Sequence, residues 1–198
     1  MNTDLLLEPQ KQHAINLLNS LYINGVAVDL SETGTGKSYV ATWIAKHLNN
    51  PVVIICPKVV ISAWNSVLQT FGIKAHTVIN YEKLVRGCTE YVSFNNMHVN
   101  SDEYISIKFP KNSLIIVDES HKCKGWNSKN SEMLIALKKQ GYKLLLLSAT
   151  AATNPLEMKS FGFVTTLHNL SNYRNFLTVR GVYTIRVIWR HMGRRYNY

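Results

Sequence analysis

The segment SETGTGKSYV, residues 31–40, combines glycine, lysine and serine in a spacing that suits phosphate binding. Glycines at 34 and 36 let backbone N–H groups approach a phosphate, and a helix that opens at Lys37 favours negative charge at its first turn. Lys37 could then reach the β- and γ-phosphates, and the Ser38 hydroxyl could ligate Mg²⁺. The usual pattern G-x-x-x-x-G-K-[ST] has glycine where this chain has Ser31. An ordinary glycine-rich strand–helix turn is the alternative interpretation.

A pair of carboxylates follows a second apolar run, LIIVDE, which ends with Asp118 and Glu119. We expect Asp118 to hold Mg²⁺ and Glu119 to orient and deprotonate an attacking water. Taken alone, such a pair could also cap a helix. Together, the lysine loop and the acidic pair predict a site for ATP and Mg²⁺.

The elements that must position these side chains are visible as apolar runs of two kinds. Runs that are apolar throughout predict buried strands, and runs with helical spacing predict helices between them. This alternation predicts an α/β fold with a mostly parallel central sheet and helices on both faces. The polar stretch 87–110 contains YVSF and YISIKF, which predict a hairpin or edge strands. The expected strands are 26–30, 51–57, 74–79, 114–120 and 143–150, and the expected helices are 10–24, 39–48, 59–71, 131–139 and 155–168.

The composition excludes several classes of protein. With 198 residues, 46% of them hydrophobic and 17% charged, the chain suits one globular domain and is marginal for two. It has no apolar run of the ~20 residues that span a bilayer, and its N-terminus lacks the basic region of a secretory signal. Three scattered cysteines fit neither a disulfide framework nor a structural metal site, so we expect a packing role and a reduced, cytoplasmic location.

The net charge is +10, and basic residues accumulate after Glu157, beyond which the chain has no acid. Such an excess makes a polyanionic partner plausible, because lysine and arginine gain affinity by releasing counterions from phosphates. A basic surface without a binding function is the alternative.

Three motifs in order carry a resemblance to a known family: T-G-T-G-K-S, D-E-S-H (118–121) and S-A-T (148–150). They resemble motifs I, II and III of superfamily 2 helicases and translocases. That family commonly writes motif I as A-x-T-G-x-G-K-T, so Ser31 takes a small-residue place and the site looks intact. The resemblance implies a RecA-like P-loop domain of DExH type.

Further segments narrow the resemblance to the Swi/Snf branch of double-stranded DNA translocases. VVIICPKVVISAW resembles its motif Ia, VINYEKL its motif Ib, DESHKCKGWNSKNSEML its motif II, and EPQKQHAINLL its glutamine motif. SATAATNPLEMKSFGFVTTLH is similar to compact members encoded by phages, which would place the chain in the host cytoplasm. The similarity covers roughly residues 5 to 178.

The resemblance implies a role for individual residues. Gln10 would contact adenine, with Gln12 as its rival because the aromatic residue that usually follows the proline is absent after Pro9. The structural alternatives are a solvated helix start for Lys58, a core or rim aromatic for Tyr81 and a satisfied polar residue for His121. The residues implied to hold the triphosphate are Thr33, Gly34, Thr35, Gly36, Lys37 and Ser38; those implied to couple nucleotide to DNA are His121, Ser148 and Thr150; those implied to lie along the DNA are Lys58, Asn80 and Tyr81.

Two tryptophans, Trp43 and Trp64, lie at helical spacing among apolar residues. We therefore expect both in the core rather than stacked on bases.

The resemblance also implies a missing partner, because motors of this family have two RecA-like lobes with ATP between them. We expect residues 1–170 to form the ATP-binding lobe and residues 171–198 a basic extension, too short for a second lobe. The sequence is compatible with a fragment, with a split gene whose second lobe acts in trans, and with a freestanding module.

The expected function is that of the ATP-binding lobe of a DNA-dependent ATPase, favouring duplex DNA. Hydrolysis of Mg²⁺–ATP would drive movement on DNA once a second lobe completes the site. The alternatives are a regulator or decoy that binds DNA or a partner through a vestigial nucleotide domain, and the lobe of an RNA helicase.

Overall fold

The computed structural model describes residues 5–86, 89–94, 105–125, 128–150 and 157–173. The strands are β1 (Val26–Asp29), β2 (Val52–Cys56), β3 (Thr77–Asn80), β4 (Val92–Phe94), β5 (Ile105–Ile107), β6 (Leu114–Asp118) and β7 (Lys143–Leu147). The helices are α1 (Glu8–Asn24), α2 (Lys37–Leu48), α3 (Ile61–Phe71), α4 (Tyr81–Val85), α5 (Lys129–Lys139) and α6 (Met158–Val164). Short 3₁₀ turns cover Lys58–Val60, Ser120–Cys123 and Leu170–Asn172.

Five strands form the central sheet in the order β1-β7-β6-β2-β3, and every neighbouring pair is parallel. The register places Asp118 beside Leu147, and Leu147 beside Asp29. Because all these strands run the same way, the loops after β1, β2, β3, β6 and β7 emerge at one edge of the sheet. The carboxyl edge therefore gathers the residues that follow each strand.

The sheet is buried on both faces, since strand side chains alternate between two cores. Ala27, Ile54 and Ile116 pack with α1, α2 and α3 in the first core. Val53 and Ile115 point the other way, into a core that includes α4, α5, α6 and the β4–β5 hairpin. This double coverage explains why the strands read as continuous apolar runs rather than alternating ones.

The predicted α/β fold with a parallel sheet and helices on both faces is confirmed. YVSF and YISIKF contribute an antiparallel pair, with Ser93 opposite Ser106, as the hairpin alternative predicts. The helix expected over 155–168 is observed only from Met158 to Val164, and residues 151–156 lie outside the described part. It ends early because Thr166 adopts a left-handed conformation at φ 62°.

One helix was not predicted at all. The five-residue α4 follows β3 directly, and Asn80 caps it by accepting a hydrogen bond from the Lys83 N–H (2.7 Å). The run VINYEKL has no helical apolar repeat of useful length, so a cap was its only signal. The predicted division at residue 170 stays a prediction, because residues 174–198 lie outside the described part of the chain.

Candidate nucleotide-binding site

The loop between β1 and α2 has the backbone of a phosphate cradle. Gly34 and Gly36 both have left-handed φ angles, 84° and 86°, and Gly36 is the residue that caps α2. A side chain would be strained at either position. A Cβ built on Gly34 meets nothing within 4 Å, so the loop is open on that side. The first turn of α2 and the glycine loop thus present backbone N–H groups to an accessible space.

Lys37 lies at the start of α2 and folds back over the loop. Its Nζ donates hydrogen bonds to the carbonyl oxygens of Ser31 and Glu32, each at 2.8 Å. These bonds hold a positive charge at the loop, where an anionic ligand would be neutralised.

Ser31 organises the base of the loop. Its Oγ donates to Asp29 Oδ1 (2.6 Å), its N–H donates to the same oxygen (3.0 Å), and it accepts from Thr35 Oγ1 (3.0 Å). Glycine at this position could make only the backbone bond. The serine is therefore a structural part of this loop and not a defect in it.

Asp29 is fully buried at the end of β1, and His13 Nε2 of α1 lies 3.1 Å from its Oδ1. Burial by itself raises the pKa of Asp29. The hydrogen bond and charge of His13 and the two bonds from Ser31 outweigh that effect, so the pKa lies below its usual range. Neither Asp29 nor His13 was predicted as part of the site, although an acid inside the apolar run VAVDL was a signal for Asp29.

Gln10, not its rival Gln12, lies against the loop. Gln10 Nε2 donates to the carbonyl oxygen of Thr35 (2.7 Å), and its Oε1 accepts from the Leu7 N–H (2.9 Å). Gln12 bonds instead to Asn16 along the exposed side of α1 (3.1 Å). The adenine contact of Gln10 stays a prediction.

Asp118 ends β6 and is held at three atoms. Oδ2 accepts from the Trp64 indole N–H (2.8 Å), Oδ1 accepts from the Glu119 N–H (2.9 Å), and its carbonyl oxygen accepts from the Tyr81 hydroxyl (2.6 Å). Burial raises the pKa of Asp118, and the charge of Glu119 adds to the rise. The bonds from Trp64 and Glu119 and the charge of Lys37 lower it, but the pKa remains raised.

Glu119 adopts a left-handed backbone conformation, φ 50° and ψ 47°, which is costly for a residue with a Cβ. Its side chain is 38% exposed, and its Oε2 lies 3.1 Å from His121 Nδ1. The carboxylate of Glu119 thus lies beside His121. Strain of this kind clusters at functional sites.

The residues expected to couple nucleotide to DNA lie together. His121 Nδ1 is 3.3 Å from Ser148 Oγ, and the Ser148 hydroxyl donates to the Thr150 carbonyl oxygen (2.6 Å). Because that hydroxyl already donates, and Glu119 offers only acceptors when ionised, the His121 Nδ1 proton is the donor toward both. The Ser148 N–H also donates to the Asp29 carbonyl oxygen (3.0 Å), which ties this group to the end of β1.

Two of the expected DNA residues follow neighbouring strands. Lys58 begins the 3₁₀ turn after β2 and is exposed, and Asn80 ends β3 in register with Cys56. Tyr81 is only 2% exposed, and its side chain lies in the core, as the structural alternative describes. A nucleic-acid contact at Tyr81 would have to use its backbone.

Trp43 and Trp64 are each 1% exposed, which confirms that both belong to the core. The bond from Trp64 to Asp118 was missed, although a buried indole N–H usually requires a partner. Cys56 and Cys123 are buried and free, as a packing role requires, and Cys88 lies outside the described residues.

The described residues contain no cluster of three or more histidine, cysteine or acidic side chains that could hold a metal ion. Within the same part of the chain, no helix has the length and apolarity to cross a membrane. The chemistry of the loop and of Asp118 fits a nucleotide with Mg²⁺, since the site offers a lysine, open backbone N–H groups, a hydroxyl and a carboxylate.

The fold and this arrangement define the class: a helicase-type ATPase lobe built on a P-loop. A solved structure described as the Sulfolobus solfataricus SWI2/SNF2 ATPase core in complex with dsDNA shares the fold, with a TM-score of 0.63 and 15% identity over 96% of this chain and 43% of that one. The chain belongs to the family described as Type III restriction enzyme, res subunit, whose family model matches residues 6–153. The resemblance to superfamily 2 and its Swi/Snf branch is confirmed.

Two curated relatives agree with that family. A putative ATP-dependent RNA helicase of Acanthamoeba polyphaga mimivirus is 32% identical over 85% of this chain and 34% of its own length. A Caenorhabditis elegans homologue of the SWI/SNF-related matrix-associated actin-dependent regulator of chromatin subfamily A-like protein 1 is 30% identical over 64% of this chain and 20% of its own length. The chain thus spans about a third or less of the curated relatives it matches.

Proposed function

We propose that this chain binds Mg²⁺–ATP at the carboxyl edge of its sheet and hydrolyses it as one lobe of a motor that moves on duplex DNA. The observation that carries the proposal is the placement of Lys37 and the Asp118–Glu119 pair. Lys37 begins the helix that follows β1, Asp118 ends β6, and β7 alone separates these two strands.

Each part of the site has a task in this proposal. The glycine loop and Lys37 bind the phosphates, while Ser38 and Asp118 would hold Mg²⁺, which neutralises charge on the phosphates when bound. Glu119 orients the attacking water and accepts its proton, and His121 fixes the direction of that carboxylate. Gln10, whose amide bonds to the loop, would recognise the base.

Movement on nucleic acid would need a second RecA-like lobe, supplied in trans or by a longer chain. Such a lobe would contribute an arginine that stabilises the transition state, an effect of about 10³–10⁵ in rate in related phosphoryl-transfer enzymes. We therefore expect slow turnover from this lobe alone and faster turnover once a second lobe docks.

Binding of a fluorescent ATP analogue tests the nucleotide site. Lys37→Ala should weaken binding at least about tenfold, because a charge-assisted contact to phosphate contributes about 1.5–3 kcal/mol. Lys46→Ala is the matched control: Lys46 lies at the other end of α2, and its Nζ also donates to a backbone carbonyl, that of Phe71 (2.9 Å). Equal affinities in the two variants, or no binding by the unaltered chain, would refute the nucleotide site.

The steady-state ATPase rate with and without duplex DNA tests the catalytic part. Glu119→Gln should abolish turnover and leave nucleotide binding intact, because only the water-activating carboxylate is lost. Glu82→Gln, an exposed glutamate in the first turn of α4, is the control. If DNA binding persists unchanged in Lys37→Ala and Glu119→Gln while ATP is never hydrolysed, the chain is a binding module with a vestigial site.

The choice of nucleic acid is a separate question. Duplex DNA is supported by the similarity to the solved SWI2/SNF2 ATPase core, which is in complex with dsDNA. An RNA substrate is the second candidate, because the mimivirus relative is named as an RNA helicase. Binding of duplex DNA, single strands and duplex RNA should be compared at one salt concentration.

Lys58→Ala should weaken binding of the nucleic acid that the unaltered chain prefers. Lys111→Ala is the control, because Lys111 is also exposed but precedes β6, at the opposite edge of the sheet. Equal losses in both variants would indicate non-specific charge rather than a binding track along the carboxyl edge.

A further inference from the structure

We infer that Trp64 and Tyr81 are positioning residues that hold Asp118 as a metal ligand and transmit nucleic-acid contact to it. The inference rests on the proposed function and deepens it. It assigns a physical connection between α3 and α4, which follow β2 and β3, and the carboxylate of Asp118 at the end of β6.

The first connection is made by the indole of Trp64. Its N–H donates to Asp118 Oδ2 at 2.8 Å across 54 positions of sequence. Trp64 lies on α3 and is 1% exposed, so the surrounding core restricts the movement of its ring. A buried donor held in this way orients the carboxylate that accepts its hydrogen bond.

The second connection is made by the hydroxyl of Tyr81, the first residue of α4. It donates to the carbonyl oxygen of Asp118 at 2.6 Å. The two hydrogen bonds reach different parts of Asp118, since Trp64 donates to the side chain and Tyr81 donates to the backbone carbonyl. Rotation of the side chain and displacement of the strand end are both restricted.

Each positioning residue follows a residue that is proposed to contact nucleic acid, namely exposed Lys58 before α3 and half-buried Asn80 before α4. The 3₁₀ turn of Lys58 to Val60 leads without a break into α3, and Val59 beside Lys58 is 85% exposed. Asn80 is the cap of α4, immediately before Tyr81. A ligand that shifts Lys58 or Asn80 would therefore act on a helix that also donates a hydrogen bond to Asp118.

This arrangement predicts that loss of the Trp64 N–H raises the Mg²⁺ concentration needed for tight nucleotide binding and does not weaken binding of nucleotide without Mg²⁺. Trp64→Phe keeps an aromatic ring in the core but deletes the N–H that orients the carboxylate. We expect the Mg²⁺ concentration that half-saturates tight binding of a fluorescent ATP analogue to rise about tenfold, the range found when outer-sphere partners of metal ligands are removed. Binding of the analogue in EDTA should not change.

Matched variants separate positioning from damage to the core. Trp43→Phe removes the same indole from the same core, where Trp43 lies on α2 and stacks on His47. Tyr142→Phe is the control for Tyr81→Phe, because the Tyr142 hydroxyl also donates to a backbone carbonyl, that of Phe109 (3.0 Å). Neither control should change the Mg²⁺ requirement, whatever it does to thermal stability.

A double-mutant cycle gives the sharpest result. In an Asp118→Asn background, Trp64→Phe should have no further effect on the Mg²⁺ requirement, because the ligand that it positions is already lost. Additive effects, or an unchanged Mg²⁺ requirement in Trp64→Phe alone, would overturn the inference.

The transmission step has its own readout. Saturating duplex DNA should lower the Mg²⁺ requirement of the unaltered chain, and this shift should vanish in both Trp64→Phe and Tyr81→Phe. Retention of the full shift in both variants would overturn the connection. Failure of the unaltered chain to bind the ATP analogue would instead refute the proposed function, and the inference with it.

Discussion

Replacement of Gly36 by alanine tests whether the Gln10 side chain contacts the loop between β1 and α2. The test requires no nucleotide. Gly36 has φ 86°, and a Cβ built there collides with the Nε2 of Gln10. Gly34 has nearly the same φ, 84°, but its Cβ would meet nothing within 4 Å. The two glycines therefore share the backbone penalty and differ in the collision.

The expected magnitudes follow from these contacts. A left-handed alanine costs about 1–2 kcal/mol, and this cost applies to both variants. Gly36→Ala also displaces the Gln10 amide and breaks its 2.7 Å bond to the Thr35 carbonyl oxygen. An exposed neutral hydrogen bond contributes about 0.5–1.5 kcal/mol. Gly36→Ala should therefore destabilise the chain by about 1 kcal/mol more than Gly34→Ala does.

The assay is urea unfolding of both variants, each with Gln10 and with Gln10→Ala. In the Gln10→Ala background the difference between the two glycine variants should disappear, because the displaced side chain is no longer there. A difference that persists without Gln10, or equal stabilities with it, would refute the reasoning. The same Gln10→Ala protein then shows whether this side chain recognises the base of ATP.

Three other predictions concern buried groups elsewhere in the described part of the chain and beside the loop. Asp29→Asn should cost about 1–3 kcal/mol at about pH 7, because a buried, charged acceptor is lost. The folded pKa of Asp29 lies below its ordinary 3.8, so its contribution is present above that value and is lost as the pH falls through the folded pKa. Urea unfolding over a pH series should show the gap between the two proteins closing in acid; a constant gap would contradict the assignment. Burial raises the pKa of Cys56 and of Cys123 to about 12. Neither thiol should react with a disulfide reagent at about pH 8 until denaturant is added, measured in a variant whose third cysteine is serine. Gly162→Ala should destabilise the chain by about 1–3 kcal/mol, because its Cβ meets the ring of His168; an unchanged melting temperature would show that the ring moves freely.

Much of this molecule could be predicted from the sequence because the signals are local. The buried strands are runs of apolar residues. The loop between β1 and α2 is indicated by Gly34 and Gly36, which supply the left-handed conformation that the turn requires. Motif order then placed Lys37, Asp118 and Ser148 after three different strands. A parallel sheet brings the ends of such strands to one edge, so the composition of the site followed from short segments alone.

What the tertiary structure decided was which side chains meet across that edge. Gln10 and Gln12 are the same type of residue, but side chains two positions apart on a helix point to nearly opposite sides. Only the packing of α1 decided which of the two faces the loop. Trp64 lies 54 positions from Asp118 and Tyr81 lies 37 from it. No local pattern encodes such contacts, because they depend on strand order and on the docking of α3 and α4. The candidate chemistry could be predicted residue by residue, whereas the contacts that hold Asp118 in place arise only when the chain is folded.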